Sequence, residues 1–205
     1  MVKENLQTKK NILSVAQELM LAKGFGATSI DEICSKARLT KGAFFHYFKS
    51  KDELGKVLLE CFCDSTKEAM NCCIKLPDSD PLKRVFQYID ALIHLVRKTD
   101  FMNGCLLGCF AQELSDTHPE IRQLCASGFD GWSRVLERDL KDAKKKYTPK
   151  SKVDPKSLAH HFIAVLEGAQ ILAKTNGNKK VLVESLNHYR NYLEILYQPT
   201  NRRKL

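Results

Sequence analysis

Residues 28–54 read TSIDEICSKARLTKGAFFHYFKSKDEL. This is the pattern of two short helices joined by a tight turn, followed by the start of a third. The first helix opens at Thr28 or Ser29. Ser29 and Glu32 have the spacing of a capping box, and Thr28 and Asp31 repeat it more loosely. Its inward face is Ile30, Ile33, Cys34 and Ala37, a helical and not a strand period. Arg38-Leu39 makes the turn. Thr40 is an N-cap for the second helix, whose first turn is Lys41-Gly42-Ala43. Ser50 then caps a third helix, with Glu53 three residues on as a second capping box. Two short helices about a turn of this length, the second led by small and basic residues, describe a helix-turn-helix.

The chemistry suits that shape. A recognition helix enters the major groove of DNA by its N-terminal end, which must be slim and offer donors. Gly42 and Ala43 let the backbone come close, and Lys41 can reach a guanine edge or a phosphate. Further along, His46, Tyr47 and Lys51 offer donors of the kind that hold phosphates and set register. Phe44, Phe45 and Phe48 also fit the core of any small helical bundle.

KGAFFHYFKSKDEL resembles the signature of TetR/AcrR-type transcriptional regulators: a Gly, an aromatic pair, a Phe, then Ser-Lys-acid-x-Leu. The preceding helix, ending AKGFGATSIDEI, and the total length fit as well. The resemblance covers roughly the first sixty residues. It implies base contacts near Lys41 and Gly42, and phosphate contacts at Thr28, His46, Tyr47 and Lys51. Together the two lines give a DNA-facing set of Thr28, Ser29, Thr40, Lys41, Gly42, Ala43, Phe44, His46, Tyr47 and Lys51. One departure stands out. Phe45 occupies the position where the family usually has Tyr, so a phosphate-binding hydroxyl is missing there.

With 205 residues and 43% hydrophobic content the chain can bury a sizeable core, which argues against global disorder. The formal charge of +9 favours a polyanionic partner without identifying one. Much of that excess lies outside the motif. Residues 1–60 hold ten Lys and Arg against seven Asp and Glu, whereas Lys141–Lys156 and Arg202-Arg203-Lys204 are also basic and read as solvated surface. The chain opens on polar residues with no apolar signal region, and no apolar run approaches the ~20 residues that span a bilayer. A cytoplasmic protein without a membrane partner is expected. The eight cysteines then read as thiols, not a disulfide frame. Cys61-x-Cys63 and Cys72-Cys73 fall in helical sequence, where neighbours so spaced do not share a face, so no metal site is expected.

The rest of the chain reads as helix after helix. Residues 1–8 look like a polar arm, and Thr8–Lys23 carries Ile12, Val15, Ala16, Leu19 and Met20 on one stripe. A long helix spans Ser50 to about Ile74. Asp80-Pro81, Asp116-Thr117-His118-Pro119 and Asp154-Pro155 each give a cap-then-proline restart. Between them, Gly104–Ser115 is short and very apolar. The expected fold is all-α: a helix-turn-helix DNA-binding domain over residues 1–50 and a helical effector-binding and dimerisation domain over 51–205.

No Gly-rich phosphate loop or H-E-x-x-H motif points to an enzyme, and no cofactor is expected. In the resembled family the last two helices pair with their mates in a homodimer, which reads a pseudo-palindromic operator. The preceding helices enclose a small-molecule effector that lowers operator affinity. The resemblance implies a dimer face on Leu158, Phe162, Val165, Ala169, Leu182, Leu186, Tyr189 and Leu193, and an effector pocket lined from Phe62, Phe86, Ile89, Cys105, Phe110, Phe129 and Trp132. Two other functions stay open: an architectural DNA binder without an effector, and a thiol-based repressor that senses electrophiles. For the latter, Asn103 reads as a cap that places Cys105 in the first turn of a helix, where the helix dipole favours a thiolate. Cys109 lies one turn on. The segment GCLLGCFAQELSDTHPE also resembles an electrophile-sensing subgroup of the same family, with Lys174 as a candidate cationic neighbour.

Overall fold

The computed structural model describes residues 2–73, 78–98 and 104–197, and among them every regular element is a helix. In chain order these are α1 (Val2–Lys23), α2 (Ile30–Ala37), α3 (Lys41–Tyr47), α4 (Lys51–Cys73), α5 (Pro81–Lys98), α6 (Leu106–Leu114), α7 (Pro119–Tyr147), α8 (Pro155–Asn176) and α9 (Lys180–Leu196). The polar arm expected over residues 1–8 is instead part of α1, which begins at Val2. Its polar residues are ordinary helix formers, and nothing in them stops a helix. The expected Asn103 cap lies outside the described residues.

The chain divides into two compact units: Met1–Thr66 with Cys105–Gly128, and Lys67–Gly104 with Phe129–Leu205. The boundary expected at residue 50 followed the motif. The compact units part instead within α4 and α7, and α6 belongs with the helix-turn-helix.

In the first unit, α1, α2, α3 and α6 and the adjoining parts of α4 and α7 close over Ile12, Ala16, Met20, Phe25, Ile33, Phe44, Phe48, Leu54, Leu58, Leu106, Leu107 and Phe110, all nearly solvent-free. Asn11 reaches across from α1 and donates to the carbonyl of Ala37 at 3.1 Å, tying α1 to the end of α2. Phe25, in the α1–α2 loop, meets Phe110 of α6 edge to face at 5.5 Å. Full burial of a Phe side chain contributes about 1.5–3 kcal/mol, so this aromatic set is a main source of the unit's cohesion.

The second unit is built on α5, α7, α8 and α9 around Val85, Ile89, Leu92, Val96, Leu136, Leu140, Leu158, Phe162, Leu166, Leu182, Leu186 and Leu193. Its buried hydroxyls are satisfied: Tyr189 donates to the carbonyl of Leu158 at 2.9 Å and Tyr197 to that of Leu140 at 3.1 Å. Asp139, only 6% exposed, accepts from the Arg84 guanidinium at 3.0 Å, as a buried carboxylate requires. Val135 of α7 is 44% exposed.

Candidate nucleic-acid interface

The helix-turn-helix is assembled by the caps that the sequence carries. Ser29 resolves the two possible starts of α2. Its hydroxyl accepts from the Glu32 N–H at 3.2 Å, while the Glu32 carboxylate accepts from the Ser29 N–H at 3.0 Å. Arg38 takes the left-handed conformation, φ 57°, and turns the chain. Thr40 then caps α3, accepting from the Ala43 N–H at 3.2 Å. Ser50 accepts from the Glu53 N–H at 3.0 Å, but Glu53 reaches back to the N–H of Lys49 and not to that of Ser50.

Helix α3 has one inward and one outward side. Phe44 is 0% exposed and Phe48 is 1% exposed. Lys41, Gly42, Phe45 and His46 face solvent, and Ala43 and Tyr47 are half-buried. A Cβ built on Gly42 would meet nothing nearer than the Thr40 hydroxyl at 3.9 Å. The protein's own packing therefore gives no reason for a glycine here. A backbone without a side chain at an exposed helix start can be approached closely from outside. Lys41 is paired with Asp31 of α2 at 2.7 Å, and this hydrogen bond raises its pKa above the ordinary lysine value. It stays fully cationic.

Three expected DNA contacts are placed differently. Phe44 packs inside the bundle, because α3 is too short to be anchored without its middle residue. Thr28 is completely buried, and its hydroxyl donates to the carbonyl of Gly24 at 2.7 Å, closing the α1–α2 loop. Lys51 turns inward as well. Its ammonium donates to the carbonyls of Phe25 at 2.9 Å and Thr28 at 3.0 Å, touches that of Gly26 at 3.5 Å, and sits 4.4 Å from the centre of the Phe25 ring.

The same loop is held from its other side by a residue the motif did not reveal. The carboxylate of Glu113, at the end of α6, accepts from the N–H of Phe25 at 2.7 Å and from that of Gly26 at 2.6 Å. A Cβ on Gly24 would lie 2.8 Å from this carboxylate, and one on Gly26 would lie 2.9 Å from it. Gly24 also has φ +90°, open to glycine and strained for other residues. Adjacent N–H groups aimed at one anion form a nest. The only signal in the sequence was Gly-Phe-Gly itself.

The side chains expected on the dimer face are buried within this chain. Leu158, Phe162, Ala169, Leu182, Leu186, Tyr189 and Leu193 belong to the unit's own core, and Val165 packs against it. The large apolar side chains left exposed on α8 and α9 are Ile171 (50%), Leu172 (50%), Tyr192 (45%) and Ile195 (62%).

The expected pocket residues are split. Phe62, Cys105 and Phe110 lie in the first unit, and Phe86, Ile89, Phe129 and Trp132 in the second. Phe110 and Ile89 are core, and Arg190 lies over the ring of Phe86 at 4.8 Å. Phe129 and Trp132 meet edge to face at 5.8 Å. A groove of about 350 Å3 in the second unit is lined by none of these, but by Glu137, Lys141, Lys144, Lys145, Pro149, Asp154 and Pro155.

Cys105 is the N-cap residue of α6, not a first-turn residue, and is 4% exposed. Cys109 is half-buried and Cys61 exposed. Burial raises the thiol pKa of Cys34 and Cys63 and pushes that of Cys125 up to about 11. Among the described residues no group of three or more His, Cys, Asp and Glu side chains could hold a metal ion, and no helix is long and apolar enough to cross a membrane.

The fold and this surface define a helix-turn-helix DNA-binding protein with an appended helical domain. Comparison with known proteins carries the assignment further. Residues 12–56 match the family of bacterial regulatory proteins of the tetR type, and residues 81–189 match the tetracyclin repressor-like C-terminal domain. The chain belongs to the TetR family of transcriptional regulators and is not an enzyme. It is 23% identical over 186 residues to the HTH-type transcriptional repressor NemR of Escherichia coli K12, covering 91% of this chain and 94% of that one. Its fold matches a TetR regulator from Chloroflexus aurantiacus with TM-score 0.82 at 21% identity, covering 94% and 96% of the two chains. It also matches E. coli NemR in its reduced form with TM-score 0.73 at 23% identity, covering 90% and 96%.

Proposed function

We propose that this regulator is a homodimeric repressor that reads a pseudo-palindromic operator through the outward side of α3 and leaves it when a small molecule binds the helical domain. The observation that carries the reading is the bare Gly42 between Lys41 and Phe45, a slim and cationic helix start with no internal reason to be slim. Lys41 is the base-reading residue, held in place by Asp31. Ser29, Thr40 and Ala43 set the pose of α3, while His46 and Tyr47 face phosphates. A single recognition helix covers few base pairs, so a two-fold pair of chains is needed for specificity. Ile171, Leu172, Tyr192 and Ile195 supply the apolar surface on which two chains meet.

Selection of duplexes by the protein from random-sequence DNA tests this. The expected product is a two-fold repeat. Lys41→Ala should relax one position in each half-site and weaken binding roughly tenfold per half-site. Selected sequences without symmetry, or a Lys41→Ala variant with unchanged preference, would overturn the reading.

A second effector chemistry is supported by α6. Cys105 and Cys109 lie one turn apart on the helix whose far end carries Glu113. A small α,β-unsaturated electrophile would add to either thiol, forming a C–S bond while the thiol proton ends on the adjacent carbon. Release of the selected duplex by N-ethylmaleimide from the wild type, but not from Cys105→Ala, would support this reading. Equal release from both would leave reversible binding. Among the described thiols, the exposed Cys61 should label first and without consequence.

A further inference from the structure

We propose that Glu113 is a positioning residue for operator binding: seated on the N–H groups of Phe25 and Gly26, it fixes the start of α2 and through it the docking of α3. The proposal rests on DNA binding by the helix-turn-helix and not on any effector.

Each step in the chain of contacts is short. The Glu113 carboxylate holds the two N–H groups at 2.7 and 2.6 Å. From there the loop closes on itself. The Thr28 N–H donates to the carbonyl of Phe25 at 3.2 Å, and its hydroxyl to that of Gly24 at 2.7 Å. The next residue, Ser29, is the cap that starts α2. Two residues beyond it, Asp31 holds Lys41, the first residue of α3, at 2.7 Å. A carboxylate on α6 is thus connected to the DNA-facing lysine through one loop and one helical turn.

The fit is specific to a carboxylate with no side chain on either flanking residue. Both oxygens are used, one on each N–H, and a methyl group on Gly24 or Gly26 would collide with them. On the opposite side, the Lys51 ammonium gathers the carbonyls of the same segment. The loop therefore lies between a negative and a positive group, each bonded to the matching end of its peptide dipoles. A shift of α6 by roughly 1 Å directly away from the loop would lengthen both Glu113 bonds beyond hydrogen-bond range.

The test uses the full chain and a duplex selected by the wild type from random-sequence DNA. Stoichiometric titration gives the active fraction, and fluorescence anisotropy gives the Kd of that fraction. Glu113→Gln keeps the shape but turns an amide NH2 toward one of the two N–H groups. It should weaken the Kd of the active fraction about fivefold, with helical content and salt dependence unchanged. Glu113→Asp should recover part of that loss. Gly26→Ala should weaken binding in the wild-type background and cost nothing further on Glu113→Ala, where the colliding carboxylate is gone. An unchanged Kd in Glu113→Gln would overturn the proposal, as would a loss confined to active fraction or melting temperature. So would effects of Gly26→Ala that are equal in both backgrounds.

Discussion

Replacing Lys51 by alanine separates two roles that a lysine at this position could have. In the structure its ammonium holds the Phe25 and Thr28 carbonyls at 2.9 and 3.0 Å and lies 4.4 Å from the centre of the Phe25 ring. Hydrogen bonds to a charged group contribute about 1.5–3 kcal/mol, and a partly exposed cation–π contact about 0.5–1 kcal/mol. The side chain is half-buried, and water can replace it at the freed carbonyls, so the net loss should be about 2 kcal/mol. For a chain of this size that lowers the melting temperature by about 4–8 °C. A phosphate contact would behave otherwise. It would leave the melting temperature alone and flatten the dependence of log K on log salt by about one unit per half-site. Differential scanning fluorimetry and anisotropy titrations at three or four salt concentrations measure both quantities. The inward role predicts a lower melting temperature with an unchanged salt slope. An unchanged melting temperature with a flattened slope would refute it and return Lys51 to the DNA surface.

Phe45→Tyr adds a hydroxyl at an exposed ring, where the resemblance to the family implies a phosphate. Operator affinity should rise by about 1 kcal/mol, roughly fivefold, per half-site, with no change in salt slope because no charge is added. Ile195→Asp places a carboxylate on the most exposed apolar side chain of α9. Sedimentation at micromolar concentration should show monomers, and binding to the two-fold duplex should be lost. The side chains of Lys23 and Ser29 and the N–H of Ser29 hold the Glu32 carboxyl at a pKa of about 2, below the ordinary 4.5. Its contribution to α2 is therefore complete above pH 4.5 and is lost as the pH falls towards 2. Melting temperature followed across that range should fall less steeply for Glu32→Gln than for the wild type.

The helix-turn-helix was legible because its information is local. Caps, a turn and a two-sided pattern all fall within 27 residues, and each is a contact between near neighbours in the chain. Ser29, Thr40 and Ser50 take up the hydrogen bonds that their spacing predicts. The same periodicity could not say which of two apolar sides faces inward. On α8 and α9 one side carries Phe162, Leu166, Leu186 and Leu193 and the other Ile171, Leu172, Tyr192 and Ile195. The large regular stripe fills the chain's own core, and the shorter one stays exposed. The roles of Lys51 and Glu113 were hidden for another reason. Each bonds to backbone, 23–26 and 87–88 residues away respectively, and backbone groups leave no trace in side-chain pattern. Cys105 was misplaced by one step because α6 starts at Leu106, leaving the thiol at the cap.

The Glu113 nest bears on how such regulators can be recombined. A helix-turn-helix looks like a portable cassette that ends where the motif ends, near residue 50. Here the cassette's first loop takes two hydrogen bonds from a side chain far downstream, and its two glycines are shaped to that side chain. A chimera that joins residues 1–50 of this chain to another regulator's sensing domain inherits Gly24 and Gly26 but loses the carboxylate they were fitted to. The reverse graft brings a carboxylate to a loop whose side chains can shut it out. Moving this chain's DNA-binding unit intact therefore takes two pieces, the N-terminal segment together with the α6 residue that grips it.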